Sequence, residues 1–321
     1  MKALVTGAAG FIGSTLVDKL LDNGMDVIGI DNLCVGNLNN INKECQFHNI
    51  DFRNYDELSK LTKGVDIFYH IGAMLPITRP PFEDTVYHEE VNVTGTIQAV
   101  KACVENKVRK FVYASTCAVY GEATSFPTKE TDEIKLQTRP YSIQKFSGEQ
   151  IALLLCKRHS LECTSLRYFA TYGPRCFYPE KGFNSYSPVI GIFLNQKKNK
   201  KPLTVTGDGS QQRDFIYVED VARITMEAGI SNKGNQEVFN VCSSKTISIL
   251  DLAKKISDNI EFIDRTHGEV DFTLGDNTKL KEYFNLIPEI DIDTGIKLFE
   301  KTLWGYNLIK VIYGYCRKNS F

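Results

Sequence analysis

A glycine-rich turn near the start of the chain constrains the fold more than any other segment. Residues 2–6 form a short apolar run typical of a strand, and residues 14–23 repeat apolar side chains at helical spacing. Between them stand Gly7, Gly10 and Gly13, which permit a tight turn, close approach of the backbone to a pyrophosphate, and close packing of helix on sheet. This order predicts a dinucleotide-binding unit whose helix N-terminus faces the phosphates.

Acidic residues after the next two strands indicate which dinucleotide is bound. The apolar run 27–30 ends on Asp31, roughly 20 residues after the turn, where a carboxylate accepts hydrogen bonds from the ribose hydroxyls of NAD. A 2′-phosphate would meet a like charge there, so we expect NAD and not NADP. Asp51, after the third predicted strand, is placed to reach an adenine amino group, although a turn or a helix cap would also explain it. Asn32 and Phe52 complete this part of the predicted cofactor site.

Strand and helix patterns alternate through the first half of the chain. Apolar strands are predicted near 66–70, 110–115 and 162–168, and amphipathic helices near 89–106 and 141–158. Alternation of this kind is typical of a parallel sheet with right-handed crossovers. The predicted fold is therefore α/β, with a Rossmann-type doubly wound parallel sheet.

The composition excludes several classes of function. A net charge of −1, with 42% hydrophobic and 24% charged residues, is typical of a soluble globular protein and argues against a nucleic-acid-binding surface. The nine cysteines have neither paired nor metal-ligand spacing, which fits a reducing cytosol and predicts no metal site. No apolar window approaches the ~18 residues of a membrane span. We therefore expect a cytoplasmic protein without membrane contact.

Tyr141 and Lys145 are spaced to act together on one helix face. Residues four apart on a helix are neighbours, so the ammonium can lie beside the phenol. A nearby positive charge lowers a tyrosine pKa that is ordinarily near ~10, which makes the phenol a usable proton acceptor. Taken alone, the pair is weak evidence, because this spacing occurs by chance in many helices, and a half-buried tyrosine with a solvated lysine explains it better.

Further motifs follow in order along nearly the whole chain. They are TGAAGFIG at 6–13, HIGA at 70–73, NVTGT at 92–96, ASTCAVYG at 114–121, the Tyr141/Lys145 pair, RYFATYGPR at 167–175 and GDGSQQRDFIYVED at 207–220. Together these motifs resemble those of the extended short-chain dehydrogenase/reductases that act on nucleotide sugars, especially the NAD-dependent sugar-nucleotide epimerases.

The resemblance implies how the chain is divided. Residues 1–172 would form an NAD-binding Rossmann domain. Residues 173–321 would form mainly a smaller C-terminal α/β lobe that binds a UDP-sugar, with part of 214–245 returning to the first domain. The substrate would lie in the cleft between the two.

The resemblance also implies the catalytic roles. Tyr141 would accept the proton of a sugar hydroxyl, and Lys145 would hold the nicotinamide ribose and lower the tyrosine pKa. Thr116 would hydrogen-bond the same sugar oxygen, unless it is a buried threonine bonded only to backbone. Phe11 and Ile12, inside the glycine turn, are further expected cofactor contacts.

Two arginines fall where the family holds the substrate diphosphate or its nearby ribose. These are Arg213 and Arg265, and a guanidinium suits this task because its planar fork binds phosphate oxygens bidentately. The family usually has proline where this chain has His267, which we interpret as a loop residue and not as a catalyst.

The residues after Thr116 indicate the reaction. The resembling 4,6-dehydratases carry Asp-Glu there, because elimination of water needs an acid and a base, whereas this chain has Cys117 and Ala118. Decarboxylating relatives usually have glutamate at the second position. The pattern resembles the epimerases, which implies transient oxidation at C4 to a 4-keto sugar. A non-enzymatic NAD-binding relative would typically lack the tyrosine, the lysine or the glycine turn, all of which are present.

Two positions bear on the substrate. Ala170 stands where many family members have asparagine, and Thr273 stands where enzymes restricted to plain hexoses have a bulky residue. A smaller side chain leaves room for a 2-acetamido group, unless Thr273 is a strand residue one position away from that wall. The implied activity is that of a UDP-hexose 4-epimerase that interconverts UDP-glucose and UDP-galactose. The N-acetylated UDP-sugars are further candidate substrates, and UDP-glucuronate is the alternative substrate.

The resemblance implies a homodimer as well. Family members commonly pair through the helix with the Tyr/Lys motif and the helix before it, giving a four-helix bundle. The segments near 89–106 and 141–158 have enough apolar positions for this contact, and core packing explains the same pattern. The C-terminal stretch 308–321 has no interpretation from the sequence.

Overall fold

The structure, a computed structural model, describes residues 1–75, 82–136, 139–176, 188–265 and 270–303. His267 and the stretch 308–321 lie outside these ranges. Within them, no helix is both long enough and apolar enough to cross a membrane.

Seven parallel strands form the central sheet, which confirms the predicted Rossmann-type α/β fold. They are β1 (Lys2–Thr6), β2 (Asp26–Asp31), β3 (Gln46–Asn49), β4 (Ile67–His70), β5 (Lys110–Thr116), β6 (Glu162–Tyr168) and β11 (Glu237–Val241). Their spatial order is β11-β6-β5-β4-β1-β2-β3. The chain leaves β1 for β2 on one side and later returns to β4 on the other, so a cleft opens where the carboxyl ends of β1 and β4 meet.

Helices cover both faces of this sheet. On one face are α1 (Phe11–Asp22), α7 (Val218–Ile230) and α9 (Thr278–Phe284); on the other are α2 (Tyr55–Thr62), α4 (Gly95–Glu105) and α5 (Pro140–Arg158). Each layer buries a continuous apolar core, as expected for strands covered on both sides. β11 and α7 thus belong to this part of the molecule, although they follow much of the smaller lobe in the chain.

The helix predicted near 89–106 is interrupted. It begins as α3 (Phe82–Glu89), widens into a π-helical turn at Glu90–Thr94 and continues as α4. In the wide turn, the Asn92 amide nitrogen donates to the carbonyl of Met74 (3.0 Å), and its oxygen accepts from the Met74 N–H (2.9 Å). A π turn often marks a functional site, and this one pairs with the loop after β4, which lines the cleft.

The smaller lobe has its own apolar core. It contains the strand pairs β7 (Ala170–Tyr172) with β10 (Phe215–Tyr217), β9 (Gln212–Arg213) with β12 (Ile247–Ser248), and β8 (Leu203–Thr206) with β13 (Ile260–Ile263). Helices α6 (Val189–Lys198), α8 (Ile249–Ile256) and α10 (Ile292–Leu303) pack around them. The lobe rests over the carboxyl ends of the central strands and closes the other side of the cleft.

A buried lysine lies at the amino end of the sheet, opposite the cleft. Lys110, the first residue of β5, is fully buried, and its Nζ donates to the carbonyls of Ser231 (2.8 Å) and Lys233 (3.0 Å) and to the Asn235 side chain (2.8 Å). These acceptors belong to the loop after α7. Burial lowers the pKa of Lys110 to about 8.

Candidate active site

One large cleft of about 730 Å³ lies between the sheet and the smaller lobe. Its lining includes nearly every residue expected at the site: Gly7, Gly10, Phe11, Ile12, Gly13, Asp31, Asn32, Asp51, Phe52, Thr116, Tyr141, Lys145, Arg213 and Thr273. The cleft therefore brings the expected cofactor residues and the expected substrate residues into one space.

The glycine turn has the tight geometry that the sequence predicts. Gly7 adopts φ +69°, a left-handed conformation that favours glycine, and a Cβ there would lie 2.8 Å from the Cα of Gly72. A Cβ at Gly13 would overlap the carbonyl oxygen of Gly7. Helix α1 begins at Phe11, immediately after the turn, with its unpaired N–H groups at the cleft. These features fit the pyrophosphate of a dinucleotide.

A chain of hydrogen bonds between buried side chains supports the glycine turn. The Thr96 hydroxyl donates to the carbonyl of Asn92 (2.8 Å), so its oxygen accepts from His70 Nε2 (3.2 Å). His70 Nδ1 then accepts from the Thr6 hydroxyl (3.0 Å), whose oxygen accepts from the Gly72 N–H (2.9 Å). Burial, with a smaller contribution from the positive charge of Lys145, lowers the pKa of His70 to about 3. His70 is thus a neutral Nε2–H tautomer that locks the turn to the end of β4.

The predicted ribose and adenine contacts are held by local hydrogen bonds. Asp31 accepts from the N–H of Ala9 (3.1 Å) and of Leu33 (2.7 Å), which fixes its carboxylate at the cleft. Asp51 accepts from Arg53 and from the Asn32 amide (3.1 Å). Burial acts to raise the pKa of Asp51, but the hydrogen bonds from Arg53 outweigh it and leave that pKa below its ordinary value. These local bonds agree with the turn that was the alternative explanation of Asp51. The carboxylate of Asp51 also lines the cleft.

Tyr141 and Lys145 lie one turn apart on α5, and both line the cleft. Lys145 is 2% exposed, and its Nζ lies 4.2 Å from the centroid of the Tyr113 ring. Burial lowers the pKa of Lys145 to about 7, against the opposing effect of Glu149. The burial of Lys145 excludes the alternative interpretation, in which this lysine is solvated. The effect of Lys145 on the Tyr141 pKa stays a prediction.

Glu149, one turn after Lys145, anchors α5 to β6. It is fully buried and accepts from Arg167 Nε (3.0 Å) and Nη2 (2.6 Å) and from the Ser165 hydroxyl (3.1 Å). Arg167 also donates to the Tyr120 hydroxyl (2.8 Å). Each buried charge is thus paired and hydrogen-bonded. Sequence reasoning missed Glu149, although its spacing of four from Lys145 was a usable signal.

Thr116 ends β5 at the cleft. Its Oγ1 accepts from the N–H of Ala118 (3.1 Å), which starts a short 3₁₀ helix at Cys117–Tyr120. Thr116 therefore makes the hydrogen bond to backbone that the alternative interpretation, a buried threonine, predicts. This bond uses a lone pair of the oxygen, and the hydroxyl hydrogen remains suited to donate to a ligand.

The expected substrate residues divide into two groups. Arg213 lines the cleft, where its Nη1 donates to the carbonyl of Gln212 (2.8 Å). Thr273 also lines the cleft, and its hydroxyl oxygen accepts from the N–H of Asp214 (3.2 Å). Arg265 is ion-paired with Asp271 and is outside the described lining of the cleft. Its expected contact with substrate stays a prediction.

The cleft also contains a cation that sequence reasoning missed. Arg139 lines it two residues before Tyr141, at the N-terminal boundary of α5. Pro140 at the first helical position was a signal for this boundary. Within the described ranges, no cluster of histidine, cysteine and carboxylate side chains is arranged to hold a metal ion.

Comparisons with known proteins agree with this geometry. Residues 3–242 match the model of the NAD dependent epimerase/dehydratase family. The chain is 37% identical over 303 residues to a putative UDP-glucose 4-epimerase of Methanocaldococcus jannaschii, covering 92% of this chain and 95% of the relative.

Solved structures show the same architecture. The Thermotoga maritima UDP-glucose 4-epimerase with UDP-glucose superposes with a TM-score of 0.88 at 29% identity, covering 95% of this chain and 99% of that one. The Bacillus cereus UDP-glucuronic acid 4-epimerase, in complex with UDP-glucuronic acid and NAD, gives a TM-score of 0.85 at 32% identity, covering 96% and 100%. This chain belongs to the NAD-dependent epimerase/dehydratase family, and its cofactor is NAD.

Proposed function

We propose that this protein is a UDP-hexose 4-epimerase that interconverts UDP-glucose and UDP-galactose and also accepts their N-acetylated counterparts. The observation that carries the proposal is the set of residues around one cleft. Thr116, Tyr141 and Lys145 line it together with the glycine turn. Burial raises the pKa of the Cys117 thiol to about 12, and Ala118 has no titratable group. The acid and base that dehydration requires are therefore lacking at both positions.

The chain's own residues bind the sugar, orient it and move one proton. Tyr141 takes the proton of the C4 hydroxyl, while Thr116 donates a hydrogen bond to the same oxygen. Lys145 holds the ribose next to the reacting carbon and supplies positive charge beside Tyr141. The chemistry that NAD supplies when bound is reversible acceptance of hydride from C4. The 4-keto sugar would then turn in the cleft so that its opposite face meets the nicotinamide, and Tyr141 would return the proton to the C4 oxygen.

Two features of the substrate half support a UDP-sugar. Arg213 provides a guanidinium for the diphosphate, because its planar fork suits phosphate oxygens. Thr273 is a small side chain in the wall of the cleft and leaves space for a 2-acetamido group.

UDP-glucuronate is the second candidate substrate. Arg139 supports it, since a guanidinium near Tyr141 is suited to the carboxylate of a uronic acid. The Bacillus cereus structure to which this chain is similar is that of a UDP-glucuronic acid 4-epimerase.

The test is a direct assay of products by NMR. The purified protein with NAD is incubated separately with UDP-galactose, UDP-N-acetylgalactosamine and UDP-glucuronate. We expect UDP-glucose from the first and UDP-N-acetylglucosamine from the second. A stable 4-keto-6-deoxy product would contradict epimerisation. Turnover of UDP-glucuronate alone would show that this sugar, and not UDP-glucose or UDP-galactose, is the substrate. Tyr141→Phe is the control, and full activity in this variant would refute the role of Tyr141.

We also propose that the protein is a homodimer through a four-helix bundle. Ile97 on α4 and Ile143 and Leu154 on α5 are 37%, 49% and 51% exposed, and Val86 on α3 is 59% exposed. Such apolar exposure on adjacent helices is typical of an interface. Light scattering after size exclusion tests this, and Leu154→Glu should shift the mass toward the monomer if the helices pair.

A further inference from the structure

One buried carboxylate joins the segments of the substrate half. Asp214 follows Arg213 and is fully buried. Its Oδ1 accepts from the N–H (2.8 Å) and the hydroxyl (2.6 Å) of Ser243. Its Oδ2 accepts from the N–H of Ser244 (3.1 Å) and of Gly275 (3.0 Å). Four hydrogen bonds from two distant loops therefore converge on one side chain.

The backbone of Asp214 reaches two further walls of the cleft. Its N–H donates to the Thr273 hydroxyl oxygen (3.2 Å), and its carbonyl accepts from the N–H of Ala170 (3.2 Å). Thr273, Ala170 and the preceding Arg213 all line the cleft, whereas Asp214 is outside the described lining. The carboxylate thus touches no expected substrate position and acts through the residues that do.

A second buried aspartate in the same motif provides a comparison. Asp220 is 2% exposed, and its carboxylate accepts from the N–H groups of Glu289 (3.0 Å) and Ile290 (2.8 Å) and from Arg223 (2.8 Å). None of these residues is among the described lining of the cleft. Both aspartates are thus buried and accept hydrogen bonds from backbone N–H groups. They differ because the backbone of Asp214 is also hydrogen-bonded to Thr273 and Ala170, which line the cleft.

We propose that Asp214 is a positioning residue for the UDP-sugar, which holds Arg213 and Thr273 in the places from which they contact substrate. This inference rests on the proposed function and adds a residue that determines substrate affinity. The bonds of the carboxylate to residues 243, 244 and 275 set the distance between the two loops, and the backbone bonds transmit that distance to the cleft wall.

The charge of Asp214 gives a second readout. Burial raises the pKa of Asp214 to about 6, although its four hydrogen bonds act in the opposite direction. Among the described residues, the thiols of Cys117 and Cys242 interact electrostatically with Asp214, and the Arg213 guanidinium interacts with Cys117 in turn. Below pH 6 the protonated carboxyl loses acceptor capacity, so substrate affinity should fall there. The diphosphate diester of a UDP-sugar does not titrate in this range, so a change near pH 6 reports on the protein.

The experiment compares Asp214→Asn with Asp220→Asn in the full-length, NAD-loaded protein. The KM and kcat are measured with UDP-galactose, the affinity for UDP-glucose by calorimetry, and NAD affinity separately. For Asp214→Asn we expect KM to rise about tenfold while kcat changes less than about threefold, with NAD affinity unchanged. For Asp220→Asn we expect reduced thermal stability and an unchanged KM. The rise of KM below pH 6 should be present in the wild type and in Asp220→Asn, and absent from Asp214→Asn.

Ser243→Ala decides the matter if Asp214→Asn fails to fold. It removes the hydroxyl donor to Oδ1, together with the contacts of that hydroxyl with the Lys245 backbone, and leaves the other three bonds of the carboxylate in place. We expect it to raise KM about threefold. An unchanged KM in Ser243→Ala, or equal KM values in the two aspartate variants, would overturn the inference while leaving an active wild type and the proposed function intact. A wild type that neither binds UDP-glucose nor converts UDP-galactose would instead refute the proposed function, so the two failures are distinguishable.

Discussion

The two ends of the central sheet each bury a lysine, and the two lysines are used differently. Lys110 begins β5 at the amino end, where three acceptors in one loop surround its ammonium. Lys145 lies above the carboxyl end, where the described contact of its ammonium is the face of Tyr113 and where it borders the cleft. Burial lowers both pKa values, to about 8 and about 7.

The difference separates a lysine with a structural role from one that is suited to bind a ligand. Burial and a lowered pKa are common to both and do not discriminate between them. What discriminates is the use of the three N–H donors. Those of Lys110 are taken by oxygen acceptors of the protein. Within the part of the chain that the structure describes, the ammonium of Lys145 lies over an aromatic face and has no oxygen acceptor. The donors of Lys145 are therefore suited to a ribose and a phenol.

Replacing Lys145 should have the largest effect on activity. Lys145→Met keeps the length of the side chain and removes its charge, so turnover of UDP-galactose should fall by about 10²–10⁴-fold. The free energy of unfolding should not decrease, because a costly buried charge is lost. Steady-state kinetics and urea unfolding measure the two quantities, and a stable variant with normal kcat would break the comparison.

Replacing Lys110 should have the opposite pattern. Lys110→Met leaves two carbonyls and one amide oxygen without their donor, so unfolding free energy should fall by about 1–3 kcal/mol. At 25 °C, kcat should stay within about twofold, since the change is at the far end of the sheet. Urea unfolding with the same kinetic assay tests this, and a large loss of kcat without loss of stability would contradict it.

The pH dependence of stability should separate the two lysines further. A lysine with a lowered folded pKa makes the unfolded state bind more protons, so stability rises with pH between the folded value and about 10.5. This interval begins near pH 7 for Lys145 and near pH 8 for Lys110. The unfolding free energy of the cofactor-free wild type should therefore rise between pH 7 and pH 8 relative to that of Lys145→Met. The same comparison with Lys110→Met should change little until pH exceeds 8.

The smallest effect is expected for the hydroxyl of Tyr113. Tyr113→Phe removes a hydrogen bond to the Lys145 carbonyl (3.3 Å) and retains the ring under the ammonium. We expect kcat to change less than about threefold, with ~0.5–1.5 kcal/mol of stability lost. A loss of activity as large as that of Lys145→Met would show that the hydroxyl, and not the ring, holds Lys145. Differential scanning calorimetry and the UDP-galactose assay provide the measurements.

Local patterns in the sequence predicted residues that lie together around one cleft. The glycine turn, Asp31 and the Tyr141/Lys145 spacing depend on residues close together in the chain, and the structure brings them to one cleft. The π turn at Glu90–Thr94 was not predicted, because it depends on the pairing of Asn92 with a distant loop. The burial of Lys110 and the four bonds of Asp214 were missed for the same reason, since their partners lie far away in sequence.

The return of β11 to the central sheet has a consequence for fragments of this protein. A fragment ending at residue 172 would keep the glycine turn, Thr116, Tyr141 and Lys145, yet it would leave β6 with an open edge and α1 without α7 against it. An unpaired edge strand is a template for self-association. We expect such a fragment to aggregate and to lose NAD affinity, so the half of the molecule that contains the three proposed catalytic residues should be unable to exist as an independent protein.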